Sequence, residues 1–537
     1  MNFDHVLPVS SGGPPPFADA REAKEWLKLL PLINTQQSSL ELRELLAHLN
    51  QSRIDALELL KSLELLREAV HTTGEGLHIH FVGKPLPLAP NELQRWQETL
   101  TLWTLFETAY VRCWRAAEEN TGVLAEHRAL IAERALRYAL FEARGYLQIY
   151  RPVPATVWQK MFDYYRQAEE SGISRTTVRD SLIEIHGSSM PQAMLIHALL
   201  LVAGGARQLT GKQLLWLDKR LDVLAARTSL APHSPALPGK TCLQIDLALP
   251  APALRASRPL SGETVREIDT LALAQVLTKR IKLLREGELP QKLGLGTEFG
   301  PQSVEALLVE LYRRWCEQPS ERPVRPAPPL KTANAALGLA NVQRLVDAGR
   351  MPPPPEDVAS LSKRDLEAIQ LFGHASGERH SAPKISAVTE PWQILQSTAQ
   401  ELLLCRPASS ATRIGLQQLI GIALEEGQTL LGVVRSLEET QEKLEIGLRL
   451  LPGVPQPVMA RALDLARLGQ DKYNEALLLP AAPALKVPAS LVVPVTWHRQ
   501  GRLLDIWDGE SLSRVRLVQA LERGSDYERV LFAPAGS

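Results

Sequence analysis

Three short apolar runs, separated by polar clusters with turn-forming composition, constrain the fold of this chain most. They occupy residues 416–424, 430–434 and 444–451. Each run has the length of a β-strand, and the clusters Glu-Glu-Gly-Gln and Glu-Glu-Thr-Gln between them are typical of turns. Together with a further strand-like run that begins at Trp392, this spacing predicts an antiparallel meander closed into a small β-barrel.

The same runs resemble the PilZ-like C-terminal domain of a proteobacterial family of cyclic di-GMP effector proteins. The likeness rests on Leu-Ile-Gly-Ile at 419–422, Gly-Val-Val-Arg at 432–435 and Leu-Glu-Ile-Gly-Leu at 444–448, all downstream of Trp392. A looser likeness reaches the N-terminal region through Lys-Pro-Leu-Pro-Leu at 84–88. The resemblance implies a C-terminal barrel that takes part in cyclic di-GMP signalling.

The ligand motifs that the resemblance implies are degenerate. Where the family has Asn/Asp-x-Ser-x-x-Gly, residues 396–401 read Gln-Ser-Thr-Ala-Gln-Glu, and the paired arginines upstream are represented by Arg379 and Lys384. A cyclic dinucleotide needs guanidinium groups for its phosphates and a close backbone approach at the motif glycine. The candidate ligand-binding residues are therefore Arg379, Lys384, Ser397 and Arg413.

Because these ligand motifs are degenerate, we expect a non-catalytic regulatory or scaffold protein. It would contain a degenerate PilZ-like domain and bind a protein partner. One alternative is a genuine cyclic di-GMP receptor that uses the four candidate residues. Another is an enzyme with an unrecognised site in the helical domain, which would require a polar pocket with perturbed carboxylates or histidines. The sequence lacks the GxxxxGK[ST], HExxH and GxSxG patterns, so we expect no catalytic residues, no metal and no cofactor.

Charge and cysteine usage narrow the class of protein further. Lys plus Arg and Asp plus Glu number 60 each, a balance that argues against binding of nucleic acid polymers. Four widely spaced cysteines without a CxxC pair indicate a reducing compartment. The N-terminus lacks the pattern of a secretory signal, and no run reaches the ~18 apolar residues that a membrane span needs. A cytoplasmic location is expected.

Periodicity and proline content predict the domain organisation. Apolar residues recur at helical spacing over residues 19–317, with two short β insertions at 76–88 and 240–249 that could pair with each other. Prolines then concentrate at 318–330 and 352–355, around a helix predicted at 334–348.

We therefore predict a flexible lead at 1–18, an α-helical domain at 19–317, a Pro-rich linker with one or two short helices at 318–389, and a PilZ-like barrel with a C-terminal β extension at 390–537. The fold class is α+β multidomain. The pattern leaves open whether residues 474–532 complete this barrel or pack beside it.

Overall fold

The chain divides into two compact units. One comprises Met1–Lys84 and Leu88–Val324, and the other comprises Pro85–Pro87 and Arg325–Ser537; we call them the helical unit and the barrel unit. No helix described is both long and apolar enough to cross a membrane. The computed structural model describes residues 14–119, 122–183, 187–232, 243–249, 252, 260–317, 331–355, 386–410, 412–424, 427–463 and 472–535.

Several helices of the helical unit begin at a capping side chain. Asp19 accepts a hydrogen bond from the backbone of Glu22, and Asp55 accepts from those of Leu57 and Glu58, which satisfies amide groups that the first turn leaves free. The described helices are α1 (Ala20–Leu29), α2 (Thr35–Gln51), α3 (Ala56–His78), α4 (Pro90–Glu119), α5 (Val123–Glu126), α6 (Arg128–Leu147), α7 (Ala155–Glu170), α8 (Pro191–Ala203), α9 (Gly211–Ala226), α10 (Leu271–Arg285) and α11 (Pro301–Cys316).

Aromatic side chains fill the centre of this unit. Tyr138 on α6 packs against Phe106 and Tyr110 of α4, with ring centroids 4.7 and 5.8 Å apart. Trp103 lies 5.1 Å from Phe141 and is buried. Buried rings of this size contribute large apolar areas to a core, which explains why the long helices α4 and α6 pack along each other.

Short strands accompany the helices: β1 (Val178–Arg179), β2 (Ser188–Ser189), β3 (Ser229–Pro232), β4 (Leu243–Asp246) and β5 (Val265–Asp269). The strand β4 lies in the insertion predicted at 240–249, and it pairs with β5. The insertion predicted at 76–88 does not pair with it. Helix α3 continues through His78 because Val70 and Leu77 are both buried at helical spacing.

The first barrel of the barrel unit is antiparallel, closed and six-stranded, with strand order β10-β11-β8-β7-β6-β9. Strands β9, β10 and β11 are the three glycine-containing runs of the sequence, and Leu444, Ile446 and Leu448 alternate into the interior. The predicted fold class, helical followed by a small antiparallel barrel, is confirmed. The strands are β6 (Lys331–Leu337), β7 (Glu390–Ser397), β8 (Glu401–Pro407), β9 (Leu419–Leu424), β10 (Thr429–Glu439) and β11 (Lys443–Leu450).

A short helix, α12 (Leu339–Asp347), follows β6. The helix predicted over 334–348 is therefore wrong in its first part, where residues 334–337 belong to β6. Gly338 separates the two elements, with a φ of 82° that favours glycine. Alanines dominate the run before it, and their small side chains suit the wall of a tight barrel although they also favour helix.

Residues 474–532, which the sequence pattern could not place, form a second closed barrel together with β12. Its strand order is β12-β13-β14-β17-β16-β15, and every pairing is antiparallel. The strands are β12 (Gln456–Leu463), β13 (Asn474–Leu479), β14 (Ser490–Val493), β15 (Leu503–Trp507), β16 (Leu512–Arg523) and β17 (Glu528–Pro534).

Helix α12 joins the cores of the two barrels. Its Val342 belongs to one buried apolar cluster with Leu419 of the first barrel and Leu477 of the second. Gly421 makes room for the helix, since a Cβ there would lie 2.8 Å from Val342 Cγ1. The Asp526 carboxylate adds a polar link, because its Oδ1 accepts a hydrogen bond from Leu419 N at 2.9 Å.

Candidate functional site

A buried arginine organises one rim of the first barrel. Arg406 ends the apolar part of β8, and its guanidinium lies 4.8 Å above the centroid of the Trp392 ring. It pairs with the Glu390 carboxylate and donates to Ser410 Oγ at 2.8 Å. Burial lowers the pKa of Arg406, which the ion pair with Glu390 opposes.

This network fixes the loop that leads to Arg413. Arg406 Nη2 also donates to the backbone carbonyl of Thr412, and Ser410 Oγ donates to Glu390 Oε1 at 3.0 Å. A buried charge keeps its partners because losing one leaves an uncompensated charge. The residue before Arg413 is therefore anchored to the barrel wall.

Arg413 itself bonds to a neutral acceptor. Its Nε and Nη2 atoms donate to the carbonyl oxygen of Pro85 at 3.2 and 2.9 Å. The next residues form a bridge, in which Leu86 N donates to Ile414 O and Ile414 N donates to Leu86 O, both at 2.8 Å. We call Pro85–Pro87 the strap. The guanidinium and the strap thus occupy the same rim of the barrel.

Ser397 lies at the far end of the same hairpin. It pairs in register with Leu402, next to the turn in which Glu401 N donates to Thr398 Oγ1 at 2.9 Å. Seven residue steps along β7 separate Ser397 from Glu390, a distance of about 23 Å at the usual rise of a strand. The structure therefore does not bring Ser397 and Arg413 together. The other two candidates, Arg379 and Lys384, lie outside the described residues.

The helical unit contains a cleft of about 790 Å³ beside α7, lined by both polar and apolar side chains. At its edge Lys160 Nζ donates to Glu107 Oε2 at 2.5 Å and contacts Glu142, while Tyr164 donates to Glu107 Oε1 at 3.0 Å. Burial raises the pKa of Glu107. The enzyme hypothesis requires a polar pocket with a perturbed carboxylate, and Glu107 is buried and does not line this cleft. Its described lining contains no cysteine, serine or histidine.

A second charged cluster of this unit lies deeper. Asp180 pairs with Arg67 at 2.6 Å and with Arg137, which also pairs with Glu133 at 3.0 Å. Burial alone would raise the pKa of Asp180, but the arginines outweigh it and hold that pKa well below its usual range. Across the described part of the chain, no group of three or more His, Cys, Asp or Glu side chains is placed to bind a metal ion.

Sequence reasoning missed Arg406 and the strap. The signal for Arg406 was a charged residue that ends the apolar run Leu-Leu-Leu-Cys of β8, since a buried arginine needs a partner and so marks an organised site. The strap could not be found this way, because Pro85 and Arg413 are far apart in sequence and the strap's hydrogen bonds use only its backbone atoms.

Comparisons with known proteins match both ends of the chain. Residues 21–235 match the family model described as the N-terminal domain of the cyclic-di-GMP receptor FimW, and residues 458–535 match that described as the FimW C-terminal beta-barrel domain. The cyclic-di-GMP receptor FimW of Pseudomonas aeruginosa is 24% identical over 538 residues, which cover 91% of this chain and 86% of that protein. No solved structure matches the chain.

These matches contradict the predicted main function, a non-catalytic scaffold with a degenerate ligand site. The relative and the N-terminal family model both carry the description of a cyclic-di-GMP receptor. The predicted resemblance is confirmed as a resemblance to a cyclic di-GMP effector. Strands β6 to β11 lie between the two matched stretches, so the PilZ-like assignment of the first barrel stays a prediction.

Proposed function

We propose that this chain is a non-enzymatic, cytoplasmic receptor for cyclic di-GMP. The observation that carries the proposal is the similarity to a protein of that name over 91% of the chain. A receptor of this kind needs no catalytic group. The polar network at the rim of the first barrel fits this role, because Arg406, Glu390 and Ser410 bond to one another and hold the rim in place. Binding of a protein partner, and the PilZ-like character of the first barrel, belong to the same proposal.

The rim around Arg413 is the proposed place of binding. A guanidinium there can hold a phosphate with two parallel hydrogen bonds, and its plane can stack on a guanine. Arg406 contributes indirectly, because it fixes the backbone at Thr412. Arg379 and Lys384 remain candidates for the second phosphate, while Ser397 lies at the other end of β7 from this rim.

Calorimetric titration of the full chain with cyclic di-GMP tests the proposal. We expect saturable binding with a dissociation constant on the order of 1 µM, equivalent to about −8 kcal/mol. Cyclic di-AMP is the control ligand, since it presents the same phosphates with adenine in place of guanine, and we expect it to bind at least tenfold more weakly. Absence of any binding heat and of any fluorescence anisotropy change with a labelled nucleotide would contradict the function.

Single substitutions test the site. Arg413→Ala should weaken binding at least tenfold, because it removes the bidentate phosphate donor. The matched control is Arg516→Ala, which removes an exposed arginine from β16 of the second barrel and should leave affinity unchanged. Arg379→Ala, Lys384→Ala and Ser397→Ala then rank the remaining candidates. Equal affinity of the Arg413→Ala and Arg516→Ala variants would move the site elsewhere.

A further inference from the structure

The strap bonds to the edge of Arg413 that a phosphate would need. Nε and Nη2 form one edge of the planar guanidinium, and both donate to the carbonyl of Pro85. Bidentate recognition of a phosphate uses two parallel N–H groups of this kind. The Pro85 carbonyl and a phosphate oxygen pair therefore compete for the same two donors.

The two acceptors differ in strength. The guanidinium is an ionised donor in both cases, but the carbonyl is neutral whereas a phosphodiester is ionised, so only the phosphate adds an attraction between opposite charges. A carbonyl also accepts both N–H groups on a single oxygen at 3.2 and 2.9 Å, while a phosphate offers each N–H its own oxygen. The exchange of acceptor favours the nucleotide.

We infer that cyclic di-GMP binding at Arg413 releases the Pro85–Pro87 strap from the first barrel, so that the strap is an autoinhibitory element of the receptor. This inference rests on the proposed function and adds its regulation. Among the described residues, four hydrogen bonds join the strap to the rim, two from the Arg413 guanidinium and two in the bridge between Leu86 and Ile414. Taking the guanidinium away removes half of them.

What remains after that exchange is a weak attachment. The bridge between Leu86 and Ile414 is isolated from the named strands, and a pairing without neighbouring strands is marginal in water. The buried side chain of Leu86 then provides the main resistance to release. Weakening that side chain should shift the equilibrium toward the open form.

Thermodynamic linkage relates opening of the strap to the affinity for the nucleotide. If the nucleotide binds only when the strap is open, the measured affinity is reduced by the fraction of molecules that are closed. A change that opens the strap must therefore tighten nucleotide binding, and the nucleotide must in turn open the strap. A strap with a purely structural role predicts the opposite sign, since damage to it would weaken binding or leave it unchanged.

Hydrogen exchange of the full chain measures the release directly. Peptides that contain the amides of Leu86 and Ile414 should exchange faster when cyclic di-GMP is saturating than when it is absent. Peptides from β14 and β17 in the second barrel, which share no bond with the strap, report on general loosening and should not change. Equal or slower exchange at Leu86 and Ile414 in the bound protein would overturn the inference while leaving the receptor function intact.

The Leu86→Ala variant tests the linkage. It keeps the backbone groups of the strap and leaves Arg413 untouched, and we expect it to bind cyclic di-GMP at least threefold more tightly than the unaltered chain. Leu491→Ala is the matched control, because Leu491 is an equally buried leucine of the second barrel and its loss should not tighten binding.

The outcomes separate the two proposals. Tighter binding by Leu86→Ala alone supports the strap, and unchanged or weaker binding by that variant overturns it. Tightening by both variants also overturns it, since the effect would then reflect general destabilisation. If neither the unaltered chain nor Leu86→Ala binds the nucleotide, the receptor function fails and the inference fails with it.

Discussion

The helical unit and the barrel unit handle charge in different ways. In the helical unit both members of several ion pairs are buried, as in the Arg137 pairs with Glu133 and Asp180, where every side chain is at most 2% exposed. In the barrel unit, ion pairs join a buried side chain to an accessible one. Asp505, for example, is 2% exposed and pairs with Arg514, which is 56% exposed.

The difference shows where a ligand can exchange with an internal partner. Charges that are buried together hold each other in place, because removing one leaves the other without compensation. A guanidinium at a rim can change its acceptor at much lower cost, since water and ligands reach it. The helical network is therefore expected to serve stability, and the rim of the first barrel to serve binding.

Breaking the helical network should produce the largest effect. Asp180→Ala leaves Arg67 and Arg137 buried without this shared carboxylate, and we expect a loss of about 3–5 kcal/mol in the free energy of unfolding. Urea unfolding followed by far-UV circular dichroism measures it. Asp180→Asn, which keeps the shape and one acceptor oxygen, should cost less. A loss below about 1 kcal/mol for Asp180→Ala would contradict the structural role of the network.

His197 is expected to make the stability of the helical unit depend on pH. Burial lowers its pKa, but the hydrogen bond to Asp218 at 2.8 Å and the nearby Asp222 outweigh this and raise the pKa to about 9. Arg144 neutralises Asp218 from the other side. The stability that the imidazolium provides is complete below pH about 6.5, the unfolded value, and is lost as pH rises through about 9.

Unfolding free energies between pH 6 and 10 check this expectation. The unaltered chain should lose about 3 kcal/mol more over that range than the His197→Gln variant, which has no charge to lose. Identical pH profiles for the two proteins would show that His197 is neutral in the folded state.

In the barrel unit, replacing a titratable group is expected to stabilise the protein. Burial raises the pKa of Asp526 to about 6, and among the described residues its Oδ2 has no hydrogen-bond partner. The stability gained by protonation is complete below about pH 3.9 and is lost as pH rises through about 6. Asp526→Asn keeps Oδ1 for Leu419 N, so it should stabilise the protein by about 2 kcal/mol at pH 7.5. Thermal unfolding at pH 7.5 and pH 4 measures the difference, which should vanish at the lower pH.

The smallest effect on stability is expected at the rim. Arg413→Ala removes the two hydrogen bonds to the Pro85 carbonyl at an accessible position, and we expect it to lower the free energy of unfolding by about 1 kcal/mol or less. The same variant is expected to lose nucleotide affinity. A loss above about 3 kcal/mol in urea unfolding would place Arg413 with the structural charges and remove the distinction between the two units.

Strands with a strict pattern could be predicted from the sequence, and others could not. The runs that became β9, β10 and β11 carry glycines and polar turns at regular spacing. Strand β12 contains Val-Met-Ala-Arg-Ala-Leu, residues that suit a helix as well as a strand, and its pairing with β13 and β15 decides the matter. The local sequence of β12 does not show which strands it will pair with, so its strand conformation could not be predicted from residue propensities.

The candidate site was predictable only as a set of residue types. Arg413 was identified as a potential phosphate ligand, but its position opposite Pro85 depends on a contact between distant parts of the sequence. Ser397 was a candidate because it lies in the segment that stands in place of the resembled family's ligand motif. The register of β7 with β8 places Ser397 at the turn instead. Strand register is set by a whole sheet, and a motif of a few residues does not contain it.

The pairing of β6 with β9 bears on how the chain is made. Lys331–Leu337 is synthesised long before its partner Leu419–Leu424, so an emerging polypeptide carries one wall of the first barrel with no neighbour on that side. Loops of this length slow the closing step and expose strand edges to other chains. Helix α12 packs on β9 of the first barrel, but its apolar face is covered completely only when β13 has left the ribosome. Synthesis that stopped after β11 would thus release a barrel with an uncovered helix, and such fragments should aggregate where the full chain does not.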